Sequence, residues 1–356
     1  MNLNLFGPIN TLGYGYTSLN FLKSLLQLNV NVSHFVIGQA QLTNSEDNTV
    51  LQQGLKNAGS FDLNAPCVKI WHQFDLATRV GTGYYFGFPI FEVDSFKPNE
   101  INHLKSCDEL IVCSEWAKDV VFCNLTPDKT CSVVPLGVDN SIFTPQQHPQ
   151  AANNTKCIFF NCGKWEIRKG HDILKDLFLD AFPNEEDVEL WMMPTNVFLN
   201  KEEVQEWESF YNHPRIKLLG RVNSHQELAS IMNATTCGIF PSRAEGWNLE
   251  VLEMMACGKL VIVTDYSGHT EFCNKNNSML TKILELEDAF DGKWFLEGSG
   301  QWAKINSEQI QSMANYMRAI YDKWRKSPLI YNEEGVKTAR QYSWDNSAKK
   351  LLEIIQ

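Results

Sequence analysis

The sequence predicts an α/β protein of two doubly wound domains, each a parallel sheet covered by helices on both faces. Three observations carry this. At 356 residues the chain is longer than one hydrophobic core usually organises. Short apolar runs alternate with amphipathic segments along nearly all of it, which is the signature of strand–helix–strand crossovers. One polar stretch, TPQQHPQAANNTK from Thr144 to Lys156, interrupts the alternation and reads as an interdomain linker. The expected organisation is residues 1–147, residues 148–332 and a C-terminal helical segment, 333–356.

In order, LNLFG opens the first sheet, followed by a glycine-containing loop and the helical stretch TSLNFLKSLLQL. VKIWH, ELIVCS and CSVVPLG continue that sheet. After the linker, CIFFNCG starts a second sheet, continued by VELWMM, IKLLG, TCGIFPS and LVIVTD. The tail SWDNSAKKLLEIIQ is a helix for which Ser343 serves as cap. Two such domains leave a cleft at the carboxyl ends of their strands, where ligands bind. The chemistry is therefore expected on loops that follow strands.

Composition narrows the class. A hydrophobic fraction of 44% with 21% charged residues is that of a globular protein. No apolar run is long enough to span a bilayer, and the first residues lack a secretory pattern, which leaves at most peripheral membrane contact. The ten cysteines form no CxxC pair, and several sit inside apolar runs, as reduced thiols of a cytoplasmic protein would. A net charge of −11 disfavours nucleic acid as a partner but leaves room for a local basic cleft.

Four loops then stand out. In GPINTLGYGYTSLN, Gly13 and Gly15 allow close backbone approach to a ligand. As a dinucleotide fingerprint it fails, because Ser18 replaces the third glycine and no acid follows in NVSHFVIG. It is otherwise a phosphate-side or sugar-side loop, or a plain turn. His72 leaves the strand VKIWH, as a catalytic group or as a packed histidine. In GKWEIRKG, Lys164, Arg168 and Lys169 crowd between Gly163 and Gly170, a cationic loop suited to a diphosphate or else a solvated charge run. In EGWNLEVLEMMACG, the segment Trp247–Asn248–Leu249 begins a helix whose N–H groups can hold a phosphate or sugar. Glu245 precedes that helix, and Glu253 is expected about two turns inside it, with Glu250 solvated on another face. Two carboxylates so spaced suit one ligand with hydroxyls at both ends and phosphates between.

These motifs resemble the retaining glycosyltransferases of family 4. EGWNLEVLEMMACGKLVIVTD matches that family's E-x7-E element, and YSGHTEF is similar to its following G-G-x-x-E loop, with Gly268 and Glu271. GKWEIRKG is similar to G-R-L-x-x-x-K-G, with Lys164 where Arg is usual and Lys169 in register. VPLGVDNSIFTP resembles the family's linker-proximal G-V-D-x-x-x-F-x-P, and the stretch LLGRVNSHQELASIMNATTCGIFPSRAEG also fits. FEVDSFKPNEINHLKSCDELIVCSEW is similar to a subset of first domains. The resemblance covers most of the chain and is most specific in the C-terminal half.

It implies the GT-B architecture, two facing Rossmann-like domains with a C-terminal helix able to cross back to the first. It implies a metal-independent hexosyl- or pentosyltransferase taking a nucleoside-diphosphate sugar and a hydroxyl acceptor (glycan, lipid-linked or protein). Lys169 and Lys164 would neutralise the diphosphate with little part in stability, helped by Arg168 and Gly163. Glu245 would hold sugar hydroxyls, Glu253 the ribose, and Trp247, Asn248 and Leu249 the sugar or phosphate. His72, as a catalytic group, and the donor-binding Gly13–Gly15 loop would reach from the first domain to the sugar and phosphate. No strict D-x-D triplet occurs, so no metal and no other cofactor is expected. Asn248 stands where glycine is frequent, and His269 at the second glycine of the following loop. Lys164 keeps the charge of the usual Arg but not its bidentate fork. The alternatives are a glycosyltransferase acting on a modified DNA base and a non-catalytic nucleotide-sugar-binding protein.

Overall fold

A computed structural model of the chain describes residues 1–42, 44–125, 129–146 and 155–356. The chain divides into two compact units. Unit 1 is Met1–Gly137 with Tyr342–Gln356, and unit 2 is Val138–Gln341. The expected junction at 147/148 falls among residues 147–154, outside the described residues.

Unit 1 is built on a six-stranded parallel sheet, β1 (Asn2–Gly7), β2 (Asn31–Val36), β3 (Cys67–Ile70), β4 (Tyr85–Phe88), β5 (Glu109–Val112) and β6 (Cys131–Val133), in the order β2-β1-β3-β4-β5-β6. The strands are rich in Val, Ile and Phe and buried along most of their length, as parallel strands covered on both faces must be. Helices α1 (Gly13–Gln27), α2 (Ser45–Ala58), α3 (Pro98–Lys105) and α4 (Glu115–Asn124) supply the crossovers. The chain winds outward from β1 to β2 and then returns to β3 on the other side, so its switch point lies between β1 and β3.

Unit 2 repeats the plan with β7 (Cys157–Gly163), β8 (Val188–Pro194), β9 (Ile216–Leu218), β10 (Cys237–Phe240), β11 (Leu260–Asp265) and β12 (Met279–Lys282), ordered β12-β11-β10-β7-β8-β9. Its helices are α5 (His171–Ala181), α6 (Lys201–Phe210), α7 (His225–Ala234), α8 (Leu249–Ala256), α9 (Ser307–Lys326) and α10 (Glu333–Gln341). The switch point lies between β7 and β10. Polar side chains cap the helices: Asn200 and Glu203 form a capping box on α6, and Ser224 caps α7. Phe159, Phe178, Phe182, Met317 and Ile320 are among the buried side chains that join α5 and α9 to the sheet in one core.

Two features depart from the sequence reading. An antiparallel hairpin, β13 (Leu286–Asp288) with β14 (Gln301–Ala303), follows β12. The C-terminal segment crosses back to the first domain as expected, but only its last helix does so. α10 packs on α8 within unit 2, whereas α11 (Trp344–Ile355) packs on α1 within unit 1. Ser343 caps α11 by accepting from Asn346 N–H, as the sequence predicts. Trp344 then sets its ring edge-on to Phe21 at 5.7 Å, and Ser24 donates to Asp345 at 2.8 Å.

Candidate functional site

The switch point of unit 2 brings the cationic loop after β7 against the loop after β10. Gly170, at φ +74°, allows this approach, since a Cβ there would lie 2.2 Å from Pro241 O. Arg243 N–H then donates to Arg168 O at 2.6 Å, and Arg168 Nη1 donates to Ala244 O at 2.6 Å. The loop is pinned from below by His171, whose Nε2 lies 2.9 Å from Asn161 Oδ1 while its Nδ1 accepts from Glu166 N–H at 3.2 Å. Burial, with Lys169 adding to it, lowers the His171 pKa to about 3. The ring is therefore neutral, with Nε2 as donor.

On this frame sits a buried charge cluster. Glu245 Oε1 accepts from Lys169 Nζ at 2.9 Å and from Ser242 Oγ at 2.8 Å, and its Oε2 accepts from Arg168 Nη1 at 2.9 Å. Glu166 takes Arg168 Nη2 at 2.6 Å, and Glu250 Oε1 lies 3.4 Å from Lys169 Nζ. Burial alone would raise the Glu245 carboxyl, but Lys169 and Arg168 outweigh it and hold it below the usual carboxylate range. Burial would likewise lower Lys169, and Glu245 with Glu250 instead raise it. Both groups are charged at neutral pH.

Gly163, at φ +134°, leaves space beside this pair, because a Cβ there would meet Lys169 Cδ at 3.0 Å and Glu250 Oε1 at 3.2 Å. Lys164, half-buried and without a carboxylate partner among the described residues, lies over the Phe198 ring at 5.6 Å.

α8 begins at this cluster. Its N-cap residue Asn248 is left-handed (φ +76°), the backbone state in which glycine is at no disadvantage, and its side chain does not cap the helix. Both polar atoms of that buried side chain lack a hydrogen-bond partner among the described residues. Leu249 and Glu250 therefore open the helix with no capping side chain over their N–H groups. Trp247 is buried against Phe272, their rings 4.9 Å apart.

Glu253 is buried at 4% exposure, and no partner for its carboxylate exists among the described residues. Burial, then the charge of Glu250, pushes its pKa well above the usual range. It is the fifth residue of α8, about 6 Å along the axis from the start, and so one turn inside rather than two. Glu250 also differs from expectation, since it faces Lys169 across the cluster instead of standing in solvent.

In the loop after β11, Ser267 Oγ accepts from Glu245 N–H at 2.8 Å, and Gly268 N–H donates to Glu245 O at 2.9 Å. The glycine-like backbone there belongs to Ser267, at φ +70°, and not to His269. His269 lies within the short 3-10 turn Gly268–Glu271, buried and bonded to Thr264 O at 2.6 Å.

Unit 1 gathers its own candidates at its own switch point. Gly13 and Gly15 lie in the first turn of α1 rather than in a loop before it. A Cβ on Gly13 would meet nothing, but one on Gly15 would lie 2.3 Å from Asn10 N. Gly15 thus accommodates the chain's own turn, in which Asn10 Oδ1 accepts from Leu12 N–H at 2.9 Å. Ser18 at the third glycine position is tolerated because Gly7 supplies the space on β1. Tyr14 links the two loops. Its hydroxyl donates to Ile90 O at 2.6 Å, and its ring lies 4.5 Å from His72, which stacks on Phe74 at 4.9 Å.

Sequence reasoning missed Ser242, His171, Ser267 and the Arg243–Asp172 pair, whose two contacts are both 2.8 Å. Position was the available signal for the first three, since each directly flanks a loop already singled out.

Comparison with known proteins meets the same region. Residues 156–290 match the model of the family "Glycosyl transferases group 1". A stretch of 135 residues is 32% identical to an uncharacterized glycosyltransferase, MJ1178, of Methanocaldococcus jannaschii, covering 35% of this chain and 36% of that relative. Among solved structures, Anabaena Alr3699/HepE in complex with UDP-glucose superposes with a TM-score of 0.71 at 15% identity, covering 100% of this chain and 99% of the other. A sucrose-phosphate synthase from Thermosynechococcus elongatus gives 0.70 at 13% identity, over 99% and 98%. The two six-stranded sheets are the Rossmann-like sheets of the GT-B architecture that these neighbours share.

Proposed function

We propose that the chain transfers a sugar from a nucleoside-diphosphate sugar to a hydroxyl acceptor (a glycan, a lipid-linked saccharide or a protein), with retention at the anomeric carbon and without a metal. One observation carries this most. At a doubly wound switch point, two buried cations fixed by Glu245 adjoin an uncapped helix start and a buried carboxylate, Glu253, that lacks a partner among the described residues. Cations and N–H groups suit a diphosphate, and an unpartnered carboxylate suits a ribose diol.

In this assignment Lys164, Lys169 and Arg168 stabilise the charge that develops on the departing diphosphate. Gly163 leaves them room, and the backbone from Trp247 to Leu249 adds N–H donors. Glu245 chiefly positions the cations. A carboxylate has about four acceptor sites, and with three taken it keeps roughly one for a donor-sugar hydroxyl. The bond from the anomeric carbon to the diphosphate oxygen breaks with its electron pair leaving on that oxygen. The acceptor oxygen bonds on the same face, and its proton passes to the departing phosphate. No side chain is assigned as nucleophile. His72 and the Gly13–Gly15 loop of unit 1 are assigned to the donor sugar and phosphate, with Tyr14 packed against His72.

Free thiols at all ten cysteines, with Cys123 the exposed one, suit a reducing, cytoplasmic setting. No described helix is long and apolar enough to cross a membrane.

NMR of the purified protein with a panel of nucleotide sugars tests the proposal. Hydrolysis or transfer of one donor, with the new anomer matching the donor's, is expected. Turnover of none, or an inverted first-formed product, contradicts it.

A further inference from the structure

We propose that unit 2 also binds a neutral oligosaccharide, in a cavity beside the charge cluster, between α5, α6 and the loop 291–294. The cavity measures about 680 Å³, within the range of small-molecule sites. Its wall is aromatic. Trp165 is buried and stacks face to face on half-buried Trp207, their rings 5.2 Å apart at 8°. Phe210 and, on the 291–294 loop, Trp294 also line it. Trp294 is 46% exposed, steadied by an edge contact with Phe198 at 5.7 Å. An exposed indole held in place is a surface kept for an apolar face.

The polar lining consists of carboxylates whose charge is already met. Glu166 holds Arg168 at 2.6 Å, Asp172 holds Arg243 at 2.8 Å, and Glu203 holds Lys293 at 2.5 Å. Asp291 accepts from three successive backbone N–H groups, of Lys293, Trp294 and Phe295, at 2.8–2.9 Å. Only Glu206, exposed, stands without a partner among the described residues. A cation would find most of these charges compensated, and an anion would find the one lining ammonium, Lys293, engaged.

What remains is a set of lone pairs facing aromatic rings. A sugar ring matches it, with C–H groups on one face for the indole and hydroxyl donors at its edge for the carboxylates. The site meets the cluster at one side chain, Glu166, which lines the cavity and also holds Arg168. Trp165, Glu166 and Ile167 line the cavity, while Lys169 turns to Glu245.

The test is binding of wild-type protein and variants to an array of neutral and anionic glycans, with tetramethylammonium as competitor. Neutral glycans should be retained, and Trp294→Ala should weaken them roughly tenfold or more. Trp207→Ala should do the same. Because Trp207 supports buried Trp165, Glu206→Gln and Trp294→Ala guard against a folding artefact. Lys169→Ala should keep glycan binding, which separates this cavity from the transfer site, so that absence of donor turnover would leave the glycan result standing. Retention of no neutral glycan, unchanged binding in both Trp294→Ala and Glu206→Gln, or displacement by tetramethylammonium would overturn the proposal.

Discussion

Lys169 Nζ lies 2.9 Å from Glu245 Oε1, with 9% of the lysine side chain and 6% of the glutamate side chain exposed. A buried pair of this kind does two jobs, because either charge left alone in the interior is costly. The sequence reading assigned Lys169 to catalysis with little part in stability, and its burial alters that expectation. Lys169→Ala should abolish transfer, costing about 2–4 kcal/mol of transition-state stabilisation. It should also lower Tm by several degrees, since Glu245 keeps only Arg168 and Ser242. Steady-state kinetics and calorimetric unfolding of one preparation check both.

Glu253 should show the opposite balance. Its folded carboxyl binds a proton more tightly than the unfolded one, so its contribution to stability is complete below about pH 4.3. That contribution is lost as pH rises towards the raised folded pKa. Glu253→Gln removes the loss and should raise Tm, by a margin over wild type that grows between pH 5 and 8. Unfolding scans across that range measure it. The same variant should bind a nucleoside diphosphate more weakly, by about 1.5–3 kcal/mol for a lost hydrogen bond to a charged group. Stability would then be traded against function at one residue.

In the proposed assignment Lys164, Arg168 and Lys169 supply the charge that a metal would otherwise bring to the diphosphate. Transfer should survive excess EDTA with less than a twofold loss of rate. Loss in chelator that manganese or magnesium restores would contradict metal independence.

His171 offers a test of the loop's support. His171→Phe keeps an aromatic ring but leaves Asn161 Oδ1 and Glu166 N–H without their partner. It should cost roughly 1–3 kcal/mol of stability for each group left unsatisfied. It should also depress kcat by misplacing Lys169, two residues away. A variant with lowered Tm and unchanged kcat would separate the pin from the site.

The sheets and the loops that form the candidate site were legible because apolar runs, glycines and charge patterns are local properties of the chain. CIFFNCG and LVIVTD could only be buried parallel strands, and the cationic loop and E-x7-E element had to follow strands. What the sequence hid depends on contacts distant along the chain. Glu250 looked solvated until the fold placed Lys169, 81 residues away, beside it. The start of α1 was missed because Asn10 steadies the turn before Gly13 with no side-chain cap on the helix itself. The β13–β14 hairpin was missed because its strands are three residues each, too short for a period-2 alternation to register.

The most direct measurement is calorimetric titration of UDP, GDP and ADP into wild-type protein, Lys169→Ala and Glu253→Gln. One of the three nucleotides should bind wild type. Its affinity should fall at least roughly tenfold in each variant, with proton release on binding in wild type as Glu253 ionises against the ribose. Failure of all three to bind wild type, or equal affinity across the three proteins, would contradict the placement of a nucleoside diphosphate between Lys169 and Glu253.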